Sequence, residues 1–544
     1  METSTRLTLS YLFNRSITEY SENKALGFAG EKELSYRDLG VRVSELQKRI
    51  VGYGVRKGDR VAIYSQNMPE WGIAYFAITT MGAVAVPILP DFSVEEVRNI
   101  LDHSESKMLF LSERMESKVD GLPMPFVQVI IRTDDLSLRK SLAPQKENEL
   151  LYVPEEVLED DLASIIYTSG TTGRSKGVML THKNLASNAE NVLSIQAVNE
   201  HDIFLSVLPL SHTYENTLGL ILPVRQGASV YYLKKPPTAA VLLPVLQEIR
   251  PTTMLTVPMI VEKIFRGQVL PKFTSGLIIR SLYSLAPVRK VLHFLAGKKL
   301  KKTFGGRVRF YGIGGAKLDP TVERFLREAR FPYAIGYGLT ETSPMVAGAN
   351  PSQTKHQSTG PVMKGVQIRL HAADPKTGIG EIHVKGDNVM KGYYKEPELT
   401  REVFTDDGWF RTGDLGSLDK NKNLFIRGRS KTMILSSSGE NIYPEDIESV
   451  INNLRYVIES LVVLKKGKLV ALVHIDTESL HAQFAHMKDE AMSFMHIKMD
   501  YVRDEILQYV NSKVSKYARL QGIELVPNPF EKTPTLKIKR YLYY

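Results

Sequence analysis

Eleven residues, Tyr167-Thr-Ser-Gly-Thr-Thr-Gly-Arg-Ser-Lys-Gly177, stand between an apolar run, Leu162 to Ile166, and a helix-like stretch that starts near His182. An apolar strand, a loop dense in glycine and hydroxyls, and then a helix is the local plan of a layered α/β protein. Glycine lets backbone amides approach an anion, and the hydroxyls and Lys176 add donors, so the segment reads as a phosphate cradle. It is not the P-loop of kinases and GTPases, which needs glycine directly before the lysine. Here Arg174 and Ser175 separate Gly173 from Lys176. As a bare pattern the segment competes with a flexible surface loop; the flanking strand and helix weigh against that.

The same alternation continues along the chain. Strand-type runs at Arg60 to Tyr64, Lys107 to Leu111, Phe126 to Ile131 and Ser229 to Leu233 alternate with helix-like stretches at Tyr36 to Val51, Ser93 to Asp102 and Ala239 to Glu248. This implies parallel α/β layers. From Gly365 to Ile426 the pattern changes to short strands separated by Pro-Lys-Thr-Gly, Asp-Asp-Gly and Asp-Lys-Asn turns, expected to form an antiparallel subdomain. A new unit is expected after about residue 430, with strands near Ile458 to Leu464 and Lys468 to Ile475 and a helical section near Met487 to Lys513. No repeat or low-complexity tract is present, so solenoids and propellers drop out.

Composition narrows the class. Apolar residues make up 43% and charged residues 24% of the 544, ordinary soluble usage. The absence of cysteine excludes disulfide scaffolds, thiolate metal sites, iron–sulfur clusters and cysteine nucleophiles. Met1 to Asn23 lacks the basic start and unbroken apolar stretch of a secretory signal, so a cytoplasmic location is expected. The uncharged stretch Trp71 to Pro90 is long enough to cross a bilayer, but Gly82 and Pro87 interrupt it and its end is β-rich. A buried helix followed by a buried strand is the better reading.

The net charge of +10 is concentrated. From Lys263 through Leu318 there are thirteen Lys and Arg residues and no Asp or Glu. Within that segment Val288, Val291, Leu292 and Leu295 follow the spacing of a helix with one apolar stripe. Either the helix packs on the core with solvated lysines, or it meets an anionic lipid surface or ligand at the inner face of a membrane. Nucleic acid is disfavoured because no aromatic ladder, recognition helix or zinc spacing accompanies the charge.

Further motifs follow in order: Pro209-Leu-Ser-His-Thr213, Gly314-Gly-Ala-Lys-Leu318, Tyr337-Gly-Leu-Thr-Glu-Thr342, Thr412-Gly-Asp414, Gly428-Arg-Ser-Lys431, a run from Ser436 to Glu448, and Thr533-Pro-Thr-Leu-Lys-Ile-Lys-Arg540. With the Tyr167 to Gly177 segment, they make the chain resemble the adenylate-forming enzymes, which include acyl-CoA synthetases, firefly luciferase and peptide-synthetase adenylation domains. The resemblance spans roughly Leu39 to Arg540. It implies an α/β fold with a large N-terminal domain of layered sheets plus a small β-barrel at about 360–427, together residues 1–429. A smaller mobile α+β domain, 430–544, would pivot near Lys431.

The resemblance also implies residue roles. Thr168, Ser169, Gly170, Thr171, Thr172, Gly173 and Lys176 would hold the ATP phosphates. Gly315 and Ala316 would wall the adenine slot, and Tyr337 would stack on the base. Thr340 would bond the α-phosphate, Glu341 would bind magnesium, and His212 would line the acyl pocket near the α-phosphate. Asp414 would accept from the ribose, with Arg429 beside it. Gly439, Glu440 and Asn441 belong to the segment expected to face the site in the thioester step. Lys537 would reach the acid and the α-phosphate, with Lys539 as a neighbour of similar pattern. Ser175 and Leu536 depart from relatives, which usually have Pro and often Gly there.

The basic insert before Gly305, the Gly-Glu-Asn-Ile-Tyr-Pro form of the 436–448 run, and the Thr-Pro-Thr-Leu-Lys ending look like long-chain members. The implied activity is AMP-forming activation of a medium- to long-chain fatty acid with ATP and Mg2+, followed by transfer to CoA. Two rivals are transfer to a carrier-protein phosphopantetheine and a catalytically dead binding protein of the same fold; intact Thr340, Glu341, Asp414, Arg429 and Lys537 argue against the second.

Overall fold

The computed structural model describes residues 7–142, 155–169, 175–274, 277–435, 441–454, 456–476, 493–533 and 537–543. Two compact units emerge. The first comprises Met1–Arg369, His383–Thr412 and Leu418–Phe425; the second comprises Leu370–Ile382, Gly413–Ser417 and Ile426–Tyr544.

The first unit is built on two large sheets. One has seven strands in the order Leu26–Phe28, Ser229–Tyr232, Ile203–Leu205, Thr253–Thr256, Phe310–Ile313, Tyr333–Gly338 and Met345–Gly348. All neighbours in it are parallel except the last pair. The other has eight strands, with Gly392–Tyr393, Ser175–Thr181, Leu162–Ser169, Val84–Ile88 and Arg60–Tyr64 in succession, continuing to Met108–Leu111, Val129–Arg132 and Leu138–Ser141. The central parallel strands, such as Val84–Ile88, Arg60–Tyr64 and Met108–Leu111, are near-continuous apolar runs because parallel sheets are covered on both faces.

Local sequence explains the helix starts. Ser35 with Asp38, Ser93 with Glu96 and Thr181 with Asn184 form capping boxes at the heads of the helices Tyr36–Gly52, Val94–Ser104 and His182–Asn191. The uncharged stretch resolves as expected into the helix Pro69–Thr80, buried at every position from Trp71 to Thr80, and the fully buried strand Val84–Ile88. Burial on all sides accounts for the missing charge. Among the described residues no helix is long and apolar enough to cross a membrane.

Strands between Gly360 and Arg429 form a five-stranded sheet, in the order Gly360–Pro361, Asn423–Arg429, Phe410–Leu418, Gly380–Gly386, Val366–His371. In the second unit, Val457–Lys465 pairs antiparallel with Lys468–Ile475, which pairs parallel with Gly522–Val526. The helices Pro444–Ile451 and Ser493–Asn511 pack on this sheet; Ile447, Ile451, Val502, Ile506 and Val510 share one core with Val462, Ala471 and Val473.

Candidate active site

In open parallel sheets, ligands bind outside the carboxyl ends of the strands. Three of the expected motifs lie there in the seven-stranded sheet. The strand Ile203–Leu205 leads to His212, Phe310–Ile313 runs into Gly314, Gly315 and Ala316, and Tyr333–Gly338 runs into Thr340 and Glu341. Gly315 has φ +85° and is exposed with Ala316, a backbone turn that favours glycine. A Cβ at Gly314 would lie 3.1 Å from the Tyr214 ring, so the His212 segment is packed against the Gly314 turn through Tyr214. The His212 Nδ1 accepts from the Tyr214 backbone N–H at 3.2 Å, which leaves the neutral ring's proton on Nε2.

Thr340, Glu341 and Thr342 form one turn of 3-10 helix after the Tyr337 strand end. A Cβ at Gly338 would fall 1.7 Å from the Pro344 carbonyl oxygen, so this close return of the chain requires glycine. The amides of Asn188 and Asn388 clamp the turn, donating to the Thr342 carbonyl at 3.1 and 3.0 Å and also to Met345. Sequence reasoning missed both asparagines, since neither belongs to a motif and each acts across more than forty residues.

The glycine-rich segment differs from its expected form. Thr168 pairs with Lys176 and Ser169 with Ser175 in an antiparallel ladder, so the segment is a hairpin and Lys176 is a strand residue. Polar Ser175 and Lys176 beside Gly177 hide the second strand from a hydrophobic-periodicity reading. Gly170, Thr171, Thr172 and Gly173 lie outside the described residues, as do Gly439 and Glu440.

Tyr393 joins this hairpin to the Thr340–Thr342 turn. Its strand pairs with the Lys176 strand, Tyr393 opposite Val178. The Lys176 Nζ lies 5.4 Å from the centre of its ring, and its hydroxyl donates to Glu341 Oε1 at 2.9 Å. Lys176 and Glu341 thus meet on one phenol, a residue the motifs did not point to. Glu341 keeps a second carboxylate oxygen, and among the described residues no cluster of three or more His, Asp or Glu could hold a metal unaided. One carboxylate joined through Tyr393 to the Lys176 hairpin has the chemistry Mg2+ uses, since that ion binds through one or two carboxylates plus substrate phosphates.

On one face of the seven-stranded sheet lies a cavity of about 40 Å³. Phe204, Leu255, Ile313, Ile335, Ile195 and Leu218 line it, and Tyr214 carries its wall toward the His212 segment. That volume holds only small molecules as it stands. Next to Tyr214 in sequence, Glu215 is buried and accepts from the Ser206 hydroxyl at 2.6 Å. Burial pushes its carboxyl up to about 8.

In the second unit, Arg429 Nε lies 3.1 Å from buried Asp414. The strands carrying them are tied by Ser430, whose backbone N–H and hydroxyl both donate to the Gly413 carbonyl. Exposed Lys431 sits in the turn that follows. Asn441 pairs with Leu435 in a short ladder. Lys537 is exposed: its N–H donates to the Thr533 hydroxyl at 3.2 Å, and the Thr533 N–H returns to the Lys537 carbonyl at 2.8 Å. Lys539 instead points to Glu531 at 3.9 Å. Arg540 pairs with Glu448, which burial pushes up to about 7 against the pull of that guanidinium.

A largely parallel sheet with a glycine turn and a clamped Thr-Glu turn past its strand ends, the latter joined through Tyr393 to the hairpin of the second sheet, has the layout of an α/β enzyme. The chain belongs to the AMP-binding enzyme family, whose sequence pattern matches residues 13–394, and is an adenylate-forming ligase. Relatives include long chain acyl-CoA synthetase 7, peroxisomal, of Arabidopsis thaliana, 29% identical over 98% of this chain and 84% of that protein. The long-chain-fatty-acid–CoA ligase FadD15 of Mycobacterium tuberculosis is 29% identical over 90% of this chain and 87% of its own length. Among solved structures, ATP-bound MatB from Rhodopseudomonas palustris superposes with a TM-score of 0.75 at 25% identity, covering 98% of each chain. O-succinylbenzoate CoA synthetase MenE of Bacillus subtilis, solved with ATP and magnesium, gives 0.76 at 23% identity, over 97% of this chain and 98% of that one.

Proposed function

We propose that the protein is a fatty acyl-CoA synthetase, taking ATP and a medium- to long-chain acid to acyl-AMP and then to acyl-CoA. The observation that carries this is the coincidence of two features on one sheet: the strands that hold the nucleotide-type turns at their ends also line an apolar cavity. Its small volume means that the cavity must widen to admit a chain.

In the first step a carboxylate oxygen of the acid attacks the α-phosphorus and the bond to pyrophosphate breaks. Both reactants are anions, so rate depends on positive groups placed where charge builds. Lys176 and the hairpin hold the terminal phosphates, Thr340 bonds the α-phosphate, and Lys537 supplies a cation to the acid and the α-phosphate. Gly315, Ala316 and Tyr337 receive adenine, while Asp414 and Arg429 receive the ribose. His212, held by the Tyr214 N–H, lines the mouth of the acyl cavity. Glu341, oriented by Tyr393, would hold magnesium, which supplies charge neutralisation on the phosphates. In the second step the CoA sulfur bonds to the acyl carbon, the thiol proton is lost and AMP departs. Lys431 is the pivot that exchanges Lys537 for the Asn441 segment between steps, since the two reactions need different groups around one carbon.

Pyrophosphate release from ATP, measured with a series of acids with and without CoA, tests this reading. Release only with acids of medium or long chain, and acyl-CoA only when CoA is present, is expected. Turnover with dicarboxylic or aromatic acids in preference would assign another substrate. Acyl transfer only to a phosphopantetheine-bearing carrier protein would assign the other acceptor.

A further inference from the structure

The basic segment of the first unit folds as helices over Leu270–Thr274, Leu277–Ser284 and Ala286–Thr303. The Ala286–Thr303 helix buries His293, Gly297 and Leu300, not the apolar stripe read from the sequence. Val291 and Leu295 of that stripe are 59% and 56% exposed, and Leu285 and Leu282 beside them 53% and 46%. Val288 and Leu292 are half-buried. Periodicity marks a helix face as apolar without saying which way it looks.

Packing fixes this orientation. A Cβ at Gly297 would lie 2.3 Å from the Ala329 carbonyl oxygen, so the helix is pressed against the end of its neighbour, Pro320–Glu328. The Tyr283 hydroxyl and His293 Nε2 are 2.7 Å apart, and Phe273 stacks on Tyr283 with 5.4 Å between ring centres. These contacts occupy the inner sides of the helices and leave the ridge Leu282, Leu285, Val291, Leu295 outside. Helical spacing places Lys298 and Lys302 in line with Val291 and Leu295.

Beside the ridge runs an open groove of about 870 Å³ between the Ala286–Thr303 and Pro320–Glu328 helices. Exposed Lys290, Arg324, Arg327 and Arg330 stand on its walls. Its one acid, Glu328, takes a bidentate pair from Arg289 at 3.0 and 3.1 Å and lies 2.7 Å from His293 Nδ1. Burial pushes Glu328 up, yet the Arg289 hydrogen bond carries it below the usual carboxylate range. Arg330 and Lys298 lie over the Phe294 ring at 5.4 and 4.7 Å from its centre, holding two cations beside the ridge.

From this charge complementarity and exposed apolar ridge we infer that the face is a docking surface for an anionic lipid bilayer. The ridge enters the acyl boundary, and the groove takes lipid phosphates. A surface helix with an exposed apolar face and basic flanks lies in the plane of such an interface. A soluble anion would engage the groove but give no reason for four exposed aliphatic side chains within fourteen residues, Leu282 to Leu295. This inference does not depend on the enzymatic reading, and its test reads binding alone.

The experiment is co-sedimentation of the full chain with phosphatidylcholine vesicles containing or lacking phosphatidylglycerol. The parent should pellet with the anionic vesicles at low salt, remain in the supernatant with neutral ones, and be released by salt. Lys290→Glu/Arg324→Glu/Arg327→Glu should weaken vesicle affinity by about a hundredfold or more, and Val291→Ser/Leu295→Ser by about tenfold, with unchanged melting temperatures. In Leu295→Trp the added indole should shift its emission to the blue on anionic vesicles and not with inorganic phosphate. A parent that stays in the supernatant at low salt, pellets equally with neutral vesicles, or retains binding in either multiple variant overturns the inference. So does a Leu295→Trp indole whose emission does not move, or binding of duplex DNA in preference to vesicles.

Discussion

The two units present their candidate groups by different means. In the first, His212, Gly315, Tyr337 and Glu341 stand at or just past strand ends of a covered sheet, so burial of the strands fixes the backbone that aims them. In the second, Lys537 is held by a pair of hydrogen bonds with Thr533, a few residues from the Arg540–Glu448 pair. Groups built into a sheet edge are permanent fixtures of the site. A group on a short clamp travels with the unit that carries it. On the proposed reading, the sheet-edge groups of the first unit are needed throughout, and the Lys537 and Asn441 segments of the second are needed in turn.

Lys537→Ala should break this division of labour most severely, reducing acyl-AMP formation by about a thousandfold while sparing thioester formation from supplied acyl-AMP. Separate rates for the two half-reactions check it, and a variant with full activity from acid and ATP would transfer the role to Lys539. Glu341→Gln, on the fixed side, should slow the same step by about a hundredfold and raise the magnesium concentration needed, because a neutral amide is a poorer ligand for a hard dication. A magnesium titration that matches the parent would contradict the assignment. Lys431→Pro sharpens the comparison: fixing φ near −65° should preserve acyl-AMP formation and slow thioester formation about tenfold. Equal loss of both would place the pivot elsewhere.

The smallest effect concerns Glu215. Its folded value of about 8 lies above the ordinary 4.5, so folding favours the neutral acid. The stability this contributes is full below about pH 4.5 and is lost as pH rises through 8. The melting temperature of the parent should therefore fall between about pH 4.5 and 8 and level off above that, and Glu215→Gln should flatten that decline by roughly a few degrees. A decline of equal slope in both proteins would mean that Glu215 titrates normally.

Much of the sheet core was legible because buried strands and amphipathic helices leave periodic marks: Arg60–Tyr64 and Lys468–Ile475 have the expected limits, and the helix expected over Tyr36 to Val51 runs to Gly52. Three features were not. The strand Ser175–Thr181 was hidden because its first residues are polar and its apolar end merges with the next helix. Tyr393, Asn188 and Asn388 act on the Thr340–Thr342 turn across long sequence separations, which no local pattern encodes. The outward direction of the Val291 and Leu295 stripe depends on Gly297 meeting Ala329, a tertiary contact.

On the proposed reading, the site joins a fatty acid to AMP before any thiol takes part. Exchange of labelled pyrophosphate into ATP in the absence of CoA measures that step directly. Exchange should require a medium- or long-chain acid and magnesium and proceed without CoA. Exchange independent of the acid, or acid-dependent formation of ADP and phosphate in its place, would contradict it.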